Sequence, residues 1–199
     1  MNTLMSVVAN GISPSWLAIT PLSMKIPENH QSANRHLSAV IASIRHGQDA
    51  GQYLVLDDDV GACWNNVQVS PFGAVPKKDA DPDKEVRLIH DLSYPRGAST
   101  NDASDKRSFP RAMYASVSII AKRIDDCSAR DPGVRVCLLK GDVQGAFRHL
   151  MLASQSVRWM GGRLKQCGAL VMDMSAPFGW TGSPPFYAAF GGAISWLVG

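Results

Sequence analysis

The stretch Leu138-Leu139-Lys140-Gly141-Asp142-Val143-Gln144-Gly145-Ala146-Phe147 decides how this chain folds on paper. Just upstream, Asp131-Pro132-Gly133 makes a turn, and the mixed apolar run Val134 to Leu139 predicts a strand buried at the centre of a sheet. Such a strand delivers Asp142 at its tip, and Gly145 to Leu150 can turn helically after it. A carboxylate so placed can face a cleft and bind a hard cation such as Mg²⁺. An isolated Asp-x-x-x-Ala-Phe unit reads more readily as an aspartate capping the next turn, so the surrounding blocks decide.

Downstream, Val157 to Leu164 and Ala169 to Met174 predict a hairpin. Then comes Ala176-Pro177-Phe178-Gly179-Trp180-Thr181-Gly182-Ser183-Pro184-Pro185-Phe186. Ser183 suits an N-cap and Pro184 the first helical position, for a helix through Leu197. That helix is apolar nearly all round and expects burial on several sides. With the chain ending at Gly199, uncovered apolar surface predicts poor solubility or a partly molten C-terminal region.

Working back toward the start, residues 1–30 read as irregular, broken by Pro14, Pro21 and Pro27. From Ser32 to Gly47, Leu37, Val40, Ile41 and Ile44 fall at helical spacing. Tyr53 to Leu56 and Val67 to Val69 read as short strands. Gly73-Ala74-Val75-Pro76-Lys77-Lys78-Asp79 and Val86-Arg87-Leu88-Ile89-His90-Asp91-Leu92 form a hairpin around a charged loop. Tyr94 to Arg111 is polar and aperiodic, a surface loop. Val117, Ile120, Ala121 and Ile124 share one face of a helix over Tyr114 to Cys127.

Composition narrows the class. Twenty Lys and Arg against 17 Asp and Glu leave +3, with an isoelectric point near 8.7, a balance compatible with nucleic-acid contact and with much else. A hydrophobic share of 45% can build a core. The four cysteines form no C-x-x-C pair, so neither a metal ribbon nor a disulfide framework is indicated and a reducing compartment fits. The start lacks a basic n-region and a cleavage signature, which points to an intracellular protein of cytoplasm or nucleus. Pro and Gly interrupt the C-terminal stretch too often for a membrane span. The five histidines show no metal spacing, and no P-loop, His-Glu-x-x-His or Gly-x-Ser-x-Gly occurs.

The blocks gain weight from their order. Ser70-Pro71-Phe72-Gly73-Ala74-Val75-Pro76-Lys77-Lys78-Asp79, Val86 to Ser93, Asn101, Asp142 to Phe147, and Pro177-Phe178-Gly179 with Ser183-Pro184-Pro185-Phe186 follow at plausible separations. Over about Val67 to Trp196 this order resembles reverse transcriptases of retroelements, most closely those of tyrosine-recombinase (DIRS-like) retrotransposons. The resemblance implies an α+β fold comprising fingers and a partial palm. Residues 1–30 would be an irregular lead-in and 31–199 a partial domain, with fingers over about 31–133 and the front of the palm over about 134–199.

It implies roles as well. Lys77 and Arg87 match fingers cations that contact the incoming triphosphate; Lys78 fills the first place at a shift of one, and solvated hairpin charges are the plain alternative. Asp142 matches the first metal-binding aspartate, with the Val143 carbonyl as its neighbouring Mg²⁺ ligand. Gly145, Ala146 and Phe147 match positions along the nucleotide, Phe147 lying under its sugar, where core packing is the alternative. Phe178 and Gly179 match the segment that approaches the nascent base pair and template, where an ordinary glycine turn is the alternative.

The departures weigh as much. Neither Gln144 nor Gly145 supplies a second carboxylate, and no Tyr/Phe-x-Asp-Asp block occurs. Asp173 precedes the Pro-Phe-Gly block and cannot stand in for it. The expectation is therefore a truncated piece of an RNA-directed DNA polymerase, inactive by itself, whose parent takes an RNA or DNA template-primer and dNTP with Mg²⁺. A non-catalytic nucleic-acid-binding module and a gene fragment without function are the alternatives. No membrane or protein partner is indicated.

Overall fold

Both sheets are built from short apolar runs, four or five residues each. A computed structural model describes residues 2–18, 26–64, 66–112, 114, 116–138 and 140–198. Along the chain come α1 (Asn2–Asn10), α2 (Gln31–Arg35), α3 (Leu37–Asp49), β1 (Tyr53–Asp57), α4 (Asp58–Cys63), β2 (Phe72–Pro76) and β3 (Val86–His90). They are followed by α5 (Thr100–Ala103), α6 (Val117–Arg130), α7 (Ser154–Val157), β4 (Gly161–Leu164), β5 (Ala169–Asp173) and α8 (Ser183–Val198). Single 3₁₀ turns lie at Lys106–Ser108, Ala146–His149 and Lys165–Cys167. Of the residues singled out from the sequence, Pro21, Leu139 and Gly199 lie outside the described residues.

β5 is the central strand of an antiparallel sheet ordered β1-β5-β4, with Tyr53 opposite Asp173 and Gly161 opposite Met172. β2 and β3 form a separate hairpin in which Phe72 faces His90 and Val75 faces Arg87. Val40 and Ile44 of α3 pack with Phe72, Val86, Leu164 and Val171, so one core joins the two sheets. A second core gathers Ile12, Leu150, Met160, Met172, Trp159, Trp180 and Phe186. Trp16 stacks on Trp159 at 4.5 Å between ring centroids, a geometry worth ~0.5–1.5 kcal/mol beyond the area it buries.

Several local expectations give way to tertiary context. The N-terminal segment is helical over α1, because Leu4 and Val7 recur at helical spacing and Val7 packs on the second core. Val67 to Val69 is no strand: Val69 makes a lone bridge to Gly161. Within 94–111 the flanks stay at the surface, but the middle turns inward, with Thr100, Asn101 and Ser104 buried. Their polar groups are satisfied internally: Thr100 donates to the Trp159 carbonyl at 2.7 Å and Ser104 to the Thr100 carbonyl at 2.8 Å.

Over its described residues, 134–138, the expected central strand from Val134 to Leu139 does not form. Residues 134–138 have no ladder, and Leu138 is 70% exposed. A strand needs a partner for its N–H and C=O groups, and among the described residues none runs beside it. α6 forms from Val117, capped by Ser116, yet its apolar stripe faces outward and none of its residues is buried. α8 is seated through its first half, where Phe186, Tyr187 and Phe190 pack on the second core; Trp196 near its end is 80% exposed. Ser183 is helical rather than a cap, and its buried hydroxyl donates to the Pro177 carbonyl at 2.6 Å.

Candidate functional site

Asp142 stands on an open groove whose walls are Gln52, Asp142, Val143, Gln144, Gly145, Arg148 and His149. The local chain makes the shape. Gly145 takes a left-handed conformation, φ 62°, that glycine adopts without strain, and the Ala146–His149 turn springs from it. The Arg148 N–H donates to the Gly145 carbonyl at 2.7 Å, and the His149 Nε2–H donates to the Gln144 carbonyl at 3.0 Å. Ala146 and Phe147 open that turn, and the Phe147 ring leaves the groove. It lies 4.9 Å from Phe178 and 5.7 Å from Tyr187, centroid to centroid. The two motif blocks thus meet through their aromatic residues, with Phe178 remaining largely exposed.

Gly179 makes its close approach to the chain's own backbone: a side chain there would collide with the His90 carbonyl oxygen. Asn101 fixes the same turn from the other side. Its amide nitrogen donates to the Gly179 carbonyl and to Ser93 Oγ, both at 2.9 Å, and its amide oxygen accepts from the Thr181 N–H at 2.9 Å. One side chain therefore ties the 90s segment to the Phe178–Thr181 turn.

Lys77 and Arg87 lie on the outward face of the β2–β3 hairpin. Lys77 pairs with Glu85 across it, and Arg87 is exposed opposite Val75. The hairpin base reaches the groove through buried charges. Arg148 Nη1 donates to Asp173 Oδ1, and Nη2 donates to the Tyr53 hydroxyl at 2.7 Å. His90 Nδ1 is hydrogen-bonded to Asp173 Oδ2 at 2.7 Å and Nε2 to the Gly161 carbonyl oxygen at 3.0 Å. Asp173 is 1% exposed. Burial, and then the Asp173 charge, push the Tyr53 phenol well above its ordinary pKa, Arg148 opposing. Burial works against the Arg148 charge, but Asp173 and Tyr53 together outweigh it and hold the guanidinium above its usual value.

Sequence reasoning passed over Arg148, His90, Asp173 and Tyr53 as functional residues. One signal was present: Asp173 closes the apolar run Ala169–Met172, and a carboxylate ending a buried strand needs partners.

The donor set does not hold a Mg²⁺ by itself. Among the described residues Asp142 is the one carboxylate that lines the groove, and no group of three His, Cys, Asp or Glu side chains is placed to hold a metal. Mg²⁺ bound through so few protein ligands relies on waters and substrate phosphates.

No protein-family model matches the chain, and no curated protein matches it. Among solved structures it is similar to the prototype foamy virus protease–reverse transcriptase, at 14% identity and a TM-score of 0.61 over 96% of this chain and 22% of that one. It is similar to the foamy viral protease–reverse transcriptase in two complexes with double-stranded DNA, both at 14% identity. The TM-scores are 0.54 over 93% of this chain and 27% of that one, and 0.53 over 94% and 33%. The chain thus spans a third or less of the length of these neighbours, and over nearly all of its own length it has a reverse-transcriptase-like fold.

Proposed function

We propose that these residues form the nucleotide- and template-facing part of a retroelement RNA-directed DNA polymerase, of the DIRS-like kind. One observation carries most of the weight. On a reverse-transcriptase-like fold, Phe147 of the Asp142 block packs on Phe178 of the Pro-Phe-Gly block, and Asp142 is left open on the adjoining groove. In this reading Asp142 and the Val143 carbonyl supply part of a Mg²⁺ site. Lys77 and Arg87 neutralise the triphosphate. Gly145 and Ala146 line the nucleotide, Phe147 lies under its sugar, and Phe178 with Gly179 border the nascent pair.

Nucleotidyl transfer in the parent enzyme needs more carboxylates than this groove holds, so the 199 residues bind but do not polymerise. A fluorescent deoxynucleoside triphosphate titrated onto the protein tests the binding half. Arg87→Gln is expected to weaken affinity ~10-fold, in line with loss of a charge-assisted bond. Equal affinity for Arg87→Gln and wild type defeats the assignment. Mg²⁺-dependent primer extension that Asp142→Asn abolishes defeats the claim of inactivity. The lone carboxylate equally favours a second reading, a nucleic-acid-binding module without chemistry. Among the described residues no helix is long and apolar enough to cross a membrane.

A further inference from the structure

One buried carboxylate lies between the hairpin that carries Lys77 and Arg87 and the turn that follows Asp142. We propose that Asp173, gripped by His90 on one side and by Arg148 on the other, is a positioning residue that sets the Asp142–Phe147 turn against the β2–β3 hairpin. Its consequence for nucleotide binding rests on the function proposed above.

The geometry supports a bridge rather than a stray ion pair. Asp173 uses one oxygen for each neighbour, and both neighbours are held by further partners. Arg148 also donates to Tyr53 and, at 3.3 Å, to Ser175 Oγ, while His90 donates onward to the Gly161 carbonyl. No member can rotate without leaving a buried polar group unpaired, which fixes all their rotamers. A single 3₁₀ turn has little stability of its own, so Arg148 is the anchor that locates the turn next to Asp142. His90 ends the strand that bears Arg87, and its carbonyl oxygen is the atom against which Gly179 rests. Hairpin, Asp142 turn and Phe178 turn therefore share one anchor.

A bridge and a merely stabilising pair differ in what they transmit. Amide hydrogen exchange of the whole chain tests this in wild type, Arg148→Met, Arg148→Lys, His90→Gln and, as a control, Thr100→Val, which removes a buried hydrogen bond elsewhere. Arg148→Met is expected to raise exchange tenfold or more at residues 143–149 and also at 86–91. His90→Gln is expected to do the same at both places, and Arg148→Lys to restore most of the protection. α3 exchange and the near-ultraviolet signal of the Trp16–Trp159 stack should stay as in wild type. Affinity for the fluorescent triphosphate should fall fivefold or more in Arg148→Met and His90→Gln, but not in Thr100→Val.

The proposal is overturned if each substitution loosens only its own side. It is also overturned if exchange rises uniformly, α3 included, or if Thr100→Val loosens residues 143–149 as much as Arg148→Met does. Should Arg148→Met not fold, His90→Gln and Arg148→Lys decide by the same pattern. A wild-type chain that binds no triphosphate removes the proposed function, while the exchange pattern still decides the bridge.

Discussion

Gly179 rests on the main chain of His90 so closely that a Cβ atom would overlap the His90 carbonyl oxygen. The neighbour is backbone within a paired strand, so it cannot yield as a flexible side chain would. Gly179→Ala is expected to destabilise the protein by at least ~1–3 kcal/mol, as overpacking does. Gly191→Ala, in α8 where an added Cβ meets nothing, should stabilise by ~0.5–1 kcal/mol. Urea unfolding followed by tryptophan fluorescence compares the two, and equal midpoints would contradict the packing described.

Asn101 satisfies both the Gly179 carbonyl and the Thr181 N–H. Asn101→Ala leaves these part-buried groups unpaired, at an expected cost of ~1–3 kcal/mol. The same unfolding curve measures it. A loss below ~0.5 kcal/mol, the range of ordinary surface changes, would show that the clamp contributes nothing.

Acid should cost α5 the stability that its capping box supplies. The Ser99 hydroxyl and then the Ser99 N–H hydrogen-bond the Asp102 carboxylate, burial opposes them weakly, and the Gly97 N–H adds to the effect; together they hold its pKa below the ordinary value. The folded pKa is depressed, so the stabilisation is complete above the unfolded value, ~3.9. It is lost as pH falls through the lower folded value. Thermal melts between neutral and strongly acid pH should therefore show a drop that Asp102→Asn makes shallower. An identical pH profile for the variant would contradict this.

The stripe Val117, Ile120, Ala121, Ile124 has the period of a core-facing helix, yet Val117 is 78% exposed. Val117→Ser and Ile120→Ser are expected to change stability by no more than ~0.5 kcal/mol, whereas Ile44→Ala in the core of α3 should cost ~2–5 kcal/mol. Chemical denaturation separates the two cases. A core-sized loss at Val117 would restore the buried helix that periodicity implied.

These contrasts show what was legible in the sequence. The β2–β3 hairpin, β1, α3 and the β4–β5 pair could be read because alternation and helical period are local, although β4 starts only at Gly161, the expected first residue Val157 closing α7 instead. Asp142 and Phe147, with Phe178 and Gly179, stood out as blocks of short range. The apolar run at Val134 to Leu138 carries the same strand signal, but pairing is a property of neighbours, and none lies beside it among the described residues. The middle of the 94–111 segment looked like surface because its burial depends on polar groups finding partners far along the chain, as Thr100 finds Trp159. Asp173 was set aside for lying in the wrong place for a metal ligand. Its partners His90 and Arg148 are separated from it by 83 and 25 residues, beyond the reach of any periodicity.

The most direct measurement is equilibrium binding of an RNA–DNA primer–template duplex to the protein across a range of salt concentrations. A reverse-transcriptase-like nucleic-acid surface predicts binding whose log K falls linearly with log salt, each phosphate neutralised adding a slope of up to ~0.9. No binding at low salt, or an affinity indifferent to salt, would contradict the proposed function.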